Sequence, residues 1–190
     1  KISYWESKKD KGIYDAMNKG IKKARGDIIG ILNADDYYYK NALNIAKKYF
    51  QNQKIDFLFG TVKKDRILQG FWPKKIAWKF NVYPSHSGGF FIKKKAHKKI
   101  GYYNLHYKYS SDRDLIYRMI VKHKLNGTCT KKNEILSKFN MEGISSKVGF
   151  FERLFEESKI RINNKQNFFF VTFLFIIHTL NKLFNIIIKK

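Results

Sequence analysis

Cysteine, proline and acidic side chains are scarce in this chain of 190 residues. Cys129 is the only cysteine, so no disulfide can close within the chain, which fits a reducing compartment. By residue type Cys129 reads as a small buried hydrophobe rather than a nucleophile. Both prolines, Pro73 and Pro84, fall in one stretch, residues 63–84, together with Gly70, Trp72 and Trp78. That stretch reads as loop with short strand or helix pieces. His97, His106, His123 and His178 show no metal-ligand spacing. No repeat at solenoid periods is found, and the first residues, beginning at Lys1, carry no signal-peptide pattern.

Asp and Glu total 15 against 39 Lys and Arg, a formal net charge of +24. This excess attracts polyanions: nucleic acid, anionic lipid head groups or phosphorylated substrates. Short runs such as Lys93 to Lys95 and Lys131–Lys132 also read as solvated basic surface. With 44% apolar residues the chain can bury a core, and wholesale disorder is excluded.

Ile13, Met17, Gly20, Ile21 and Ala24 fall at helical spacing, predicting a helix over residues 12–25 with Lys22, Lys23 and Arg25 at its C-terminal end and Gly26 as the cap beyond it. The apolar run Asp27 to Leu32 follows and reads as a buried, parallel strand. It ends abruptly in Asn33-Ala34-Asp35-Asp36. An amphipathic stretch, Asn41 to Phe50, and a strand, Ile55 to Val62, continue the alternation of an open α/β sheet. Further on, Gly88 to Ile92 reads as strand and Lys95 to Ile100 as a short helix closed by Gly101. Asp112 to Lys124 reads as a helix, and Asn126 to Phe139 as one or two edge strands.

Two adjacent carboxylates at the C-terminal end of a strand sit where open α/β sheets bind ligands. Hard divalent cations take carboxylate oxygens, and Mg²⁺ is commonly held by one or two carboxylates plus substrate phosphates. Asp-Asp after a strand is equally at home as a turn or helix cap.

The order of residues Gly12 to Asp36 resembles the central signature of family 2 glycosyltransferases of the GT-A fold. The places of that signature are held here by Gly12, Ala16, Asn18, Gly20, Ala24 and Gly26, then by the apolar strand and acidic motif. The stretch Asp10 to Gly20 looks like the branch that builds polysaccharide, lipopolysaccharide or capsule sugars. A second match, His86 to Phe91 and Gly101 to Asn104 ahead of Ser110-Ser111-Asp112-Arg113-Asp114-Leu115 and Arg118, is similar to the family's acceptor-side half.

The resemblance implies an α/β, Rossmann-like GT-A domain with a mixed sheet flanked by helices, over residues 1–145. It implies an inverting transfer of a sugar from a nucleotide-diphosphate sugar to a glycan or polyprenyl-linked acceptor in cell-surface polysaccharide synthesis. Asp112 would be the catalytic base, although its residue type also suits a helix N-cap, with Ser110 and Ser111 as rivals. Gly12, Asp15, Asn33 and Asp35 would face the donor. Asp36 would hold Mg²⁺ or Mn²⁺, and His86 and Arg118 would lie on the acceptor side. Trp72, Trp78, Tyr83 and Tyr102 could stack on sugar rings, though packing suits most of them equally.

The chain departs from the family pattern at several places. Asn33 stands at the first acidic position and is a poor metal ligand. Met17 stands where many relatives have Arg, and Ser111 where Glu is commoner. The family's domain opens with a strand and helix that hold the nucleotide base, and Lys1 to Trp5 resembles only the tail of that half. The expectation is therefore an N-terminally truncated domain, active or inert by itself.

After residue 145 the composition shifts. Residues 146–190 read as a basic, apolar helical tail, with the dense run Phe168 to Ile177 interrupted beyond by His178, Asn181, Lys182 and Asn185. An interfacial or docked helix is favoured over a true membrane span, and a plain packed helix remains the simplest alternative. The expected location is cytoplasmic, at the inner face of the cell membrane, with a membrane surface and no nucleic acid among its partners. The rival is a non-enzymatic basic protein that binds nucleic acid or anionic membrane. Charge favours it, but the ordered motifs are left without a role.

Overall fold

The computed structural model describes residues 2–80, 82–83, 87–140 and 148–188. Helix α1 runs Ile13–Lys23 and buries Asn18 and Ile21. It ends differently from expectation. Ala24 turns off in an extended conformation (φ −57°, ψ 132°), its N–H still bonded to the Gly20 carbonyl. Among the described residues the left-handed glycines are Gly12, Gly70 and Gly101, so Gly26 is not the cap.

The first sheet has the order β1 (Ile28–Gly30), β6 (Phe90–Lys93), β3 (Phe57–Phe59), β7 (Gly127–Cys129). β6 is antiparallel to both β1 and β3, and β7 is parallel to β3. The expected buried parallel strand after α1 is thus corrected on both counts. Among the described residues β1 pairs only with the antiparallel β6, and Ile29 alone in it is buried. The inserted β6 takes the place that a parallel neighbour would hold.

The single strand expected over residues 55–62 is two strands in two sheets. β3 ends at Phe59, and β4 (Thr61–Lys63) begins a second sheet of order β2 (Tyr37–Tyr38), β8 (Ile135–Lys138), β4, β5 (Ile67–Leu68). The break falls on Gly60, where an added Cβ would stand 2.2 Å from Leu136 Cδ1 and 3.3 Å from the Gly89 carbonyl. Only hydrogen fits there, and periodicity could not reveal it. β8 lies between β2 and β4, so it is interior to its sheet rather than the edge strand expected.

Side-chain alternation in β3 divides the core. Phe57 and Phe59 face the larger cluster, which includes Ile92, Ile100, Leu115 and Met119. Leu58 faces the other side, onto Phe91, Leu136 and the inner face of α2 (Ala42–Phe50), where Ala42, Ala46 and Phe50 are buried. A strand buried on both faces needs a continuous apolar run, and Phe-Leu-Phe supplies it.

α3 (Lys94–Ile100) closes at Gly101 (φ 82°), as expected. α4 (Ser111–Tyr117) passes into one π-helical turn, Arg118–Lys122, in place of a uniform helix to Lys124. The tail forms α5 (Phe150–Asn163) and α6 (Phe168–Ile187). α5 is tied closely to the body. Ile160 is fully buried in the larger cluster. Glu156 accepts from the backbone N–H groups of Lys108 (2.8 Å) and Tyr109 (3.0 Å), and Glu157 pairs with Arg113. Arg161 donates to the carbonyls of Ile76 (3.0 Å) and Ala77 (2.9 Å) beneath the ring of Phe80.

Candidate active site

The acidic motif is a closed turn. The Asp36 N–H donates to the Asn33 carbonyl at 3.1 Å. The Asn33 amide donates to Asp36 Oδ2 (3.2 Å) and to Ser87 Oγ (2.9 Å), and the backbone N–H of Asn140 donates to Asp36 Oδ1 (3.0 Å). Asp36 is therefore buried, with both oxygens engaged, while Asp35 projects into solvent at the tip. Burial, helped by the charge of Asp35, pushes the Asp36 carboxyl above the usual range, against the pull of the Asn140 N–H and the Asn33 amide. Tyr38 lies close by. Burial and then the Asp36 charge push its phenol up to about 12, and among the described residues its hydroxyl has no partner. A cleft of about 340 Å³ opens beside Asp35, with Lys64, Asp65, Lys138 and Asn140 on its walls.

This turn fits a hard cation in donor type. Two neighbouring carboxylates, one of them desolvated and raised by the other, are under-compensated charge that a divalent ion would satisfy. Among the described residues no group of three or more His, Cys, Asp or Glu side chains gathers to hold a metal alone. Such an ion would complete its shell with phosphate oxygens and water.

Asp112 lies on the first turn of α4, and two phenols hold it. The Tyr14 hydroxyl of α1 shares its one proton between Asp112 Oδ1 and the Tyr109 carbonyl, each at 3.1 Å. Tyr83 donates to Oδ2 at 3.3 Å. Both phenols are driven well above the ordinary tyrosine range, by burial first and then by the Asp112 charge. They remain neutral donors at any physiological pH. The capping alternative is not what forms. Ser110 occupies the N-cap position without a side-chain cap bond, and the buried hydroxyls of Ser110 and Ser111 have no partner among the described residues.

The glycine-rich motif positions α1. Gly12 (φ 109°) precedes the helix, and its carbonyl accepts from Asp15 (3.1 Å) and Ala16 (3.2 Å). Asn18 exchanges two hydrogen bonds with the backbone of Tyr103 (2.8 and 2.9 Å), and the Tyr14 ring stacks on Tyr103 at 5.4 Å. α1 is thereby registered against the segment leading to Asp112. Asp15 accepts from the Lys11 N–H and from Lys19, both at 3.0 Å, and these bonds lower its pKa.

Arg118 is a clamp. It pairs with Asp114 at 2.9 Å and donates to the carbonyls of Ile100 and Tyr102. His86 lies outside the described residues. Trp72 and Trp78 are about half exposed, whereas Tyr83 is stacked on Phe59 at 4.4 Å and drawn into the site. The sequence reading missed Tyr14. It lies inside the motif, but nothing local marks it as a partner of a residue 98 positions away.

The two mixed sheets, the acidic turn after β1 and the helix-borne carboxylate define a GT-A fold. The glycosyl transferase family 2 model matches residues 1–116, and the chain belongs to that family. It is similar in fold to the crystal structure of S. aureus TarS 1–349 with UDP-GlcNAc, at 14% identity and TM-score 0.57, covering 87% of this chain and 51% of that one. The same protein with UDP matches at 13% identity and TM-score 0.55, covering 86% and 49%. A longer TarS structure matches at 13% identity and TM-score 0.55, covering 86% and 30%. The chain thus spans about half the length of the TarS 1–349 structures. No curated protein sequence matches it.

Proposed function

We propose that the chain is the catalytic portion of an inverting glycosyltransferase that uses a nucleotide-diphosphate sugar and a glycan or lipid-linked acceptor in polysaccharide synthesis. The observation that supports this reading best is Asp112, an ionisable carboxylate fixed from both sides by neutral phenols and docked through Tyr14 to the motif helix. In the proposal Asp112 accepts the proton of the acceptor hydroxyl as that oxygen attacks the anomeric carbon. Tyr14 and Tyr83 hold the carboxylate in one orientation. Asp36 would hold Mg²⁺ or Mn²⁺, which when bound neutralises the departing diphosphate, and Asp35, open to solvent, would face the donor's ribose or diphosphate. Gly12 and Asn33 would face the donor, as does the family's motif. Asp15, already engaged by Lys11 and Lys19, would act by holding the first turn of α1. The UDP-GlcNAc bound by S. aureus TarS suggests the donor class. We place the protein at the cytoplasmic face of the membrane, where a polyprenyl-linked acceptor would be presented.

The test is sugar release from UDP- and GDP-sugars, with and without EDTA. Asp112→Asn should lower turnover about 10²- to 10⁴-fold. Asp36→Ala and EDTA should each remove metal-dependent turnover. Undiminished activity in Asp112→Asn would sink the assignment of the base.

A further inference from the structure

α6 is polarised the wrong way for a helix in water. It buries Val171 and Leu174 and touches α5 through the Phe155 and Phe175 rings, 5.2 Å apart. At about 100° per residue, the face directly opposite holds Phe169, Phe173, Ile176, Leu180, Leu183 and Ile187. All six are exposed, from 47% for Leu183 to 80% for Phe169. The polar residues His178, Asn181, Lys182 and Asn185 share the sector of Val171 and Leu174, on the side of the protein body. Exposed Phe168 and Ile186 on one flank and Phe170 and Ile188 on the other widen the apolar arc to roughly half the circumference.

We propose that this arc beds into the head-group region of an anionic bilayer, with α6 lying parallel to the membrane plane. Charge identifies the occupant. Residues 158–190 hold no acidic residue, while Lys159 and Lys165 are exposed and Lys189 and Lys190 follow α6 in the sequence, within a chain of net charge +24. By length and composition α6 could cross a membrane, but its lateral attachment favours lying flat. α5 is bonded to the body through Glu156, Glu157 and Arg161, and α6 follows it from the Phe155–Phe175 contact to Lys182, which sits over the Phe150 ring. A second copy fits less well. The four-three spacing suits a coiled-coil seam, but such a seam is narrow and flanked by charge, and here the flanks are Phe and Ile. The inference deepens the glycosyltransferase proposal by bringing the domain to lipid-linked acceptors, yet vesicle binding can be read without any turnover.

The experiment is co-sedimentation of the 190-residue chain with phosphatidylcholine vesicles, alone or mixed with phosphatidylglycerol. Binding should require the anionic lipid and weaken with salt. Phe173→Ser with Leu180→Ser should lower partitioning about 100-fold, roughly tenfold for each side chain withdrawn from the lipid. The melting temperature and UDP-sugar binding should stay unchanged. Partitioning unaffected by the double substitution overturns the proposal. So does resistance of the bound protein to alkaline carbonate, which marks a span, or a lipid-free dimer that the same substitutions dissolve. Vesicle binding that behaves as expected without any UDP-sugar binding supports this inference and overturns the enzymatic reading instead.

Discussion

Replacing Tyr14 by Phe removes one hydroxyl, which serves both Asp112 and the Tyr109 carbonyl. The ring stays stacked on Tyr103 at 5.4 Å, while the hydroxyl that donates to Asp112 Oδ1 at 3.1 Å is removed. Hydrogen bonds to charged groups contribute about 1.5–3 kcal/mol. Asp112 is only half buried and Tyr83 still holds Oδ2, so water can replace part of the loss in the resting protein. In the transfer step the carboxylate must keep one orientation, and water does not impose it. If the loss falls on that step, turnover drops roughly 10- to 100-fold. The donor KM should move less than about twofold, because the donor does not meet this bond. Nucleotide release from a UDP-sugar, followed with purified variants at matched folded fraction, reads both constants. On turnover, Tyr14→Phe made on Asp112→Asn should add nothing further, because no carboxylate base is left for the phenol to orient. Wild-type turnover in Tyr14→Phe, or full additivity with Asp112→Asn, would refute the role given to the phenol.

Asp36→Asn should separate stability from activity. Burial raises the Asp36 pKa, so its ionised form opposes folding, and that opposition is relieved as pH falls through the raised value. The melting temperature of the variant relative to wild type should therefore fall as pH is lowered through the carboxylate range, because only wild type is relieved there. Metal-dependent turnover should vanish in the same variant. Thermal scans at two pH values check the first claim and an EDTA titration the second. Arg118→Ala should destabilise the fold by about 3–5 kcal/mol, because it strips the buried Asp114 of its cation and frees two carbonyls. Denaturant unfolding measures it. A loss of acceptor binding with unchanged stability would instead return Arg118 to the acceptor site.

Local regularities were legible wherever the chain satisfies its backbone within a few residues. The period of Ile13 to Ala24 marked α1, the amphipathic Asn41 to Phe50 marked α2, and Gly101 marked the end of α3, because each is decided by near neighbours. The family was legible too, since the spacing of Gly12, Ala16, Asn18, Gly20 and Asp36 is itself linear. Sheet order was not. Whether Ile28 to Gly30 meets a parallel or an antiparallel partner depends on β6, more than 50 residues onward, and the split at Gly60 depends on Leu136 and Gly89 occupying the space of a Cβ.

The site divides along the same line. By itself the sequence determined that two carboxylates follow a strand and that Asp112 opens a helix. Tertiary structure alone decided that Asp36 is the buried member of its pair and Asp35 the open one. It also decided that Arg118 spends its donors on carbonyls, and that Tyr14 and Tyr83 converge on Asp112. The reason is physical. A hydrogen bond acts over about 3 Å, and the partners of these groups lie between 16 and 104 residues away along the chain, apart from the Asn33 and Asp114 contacts close by.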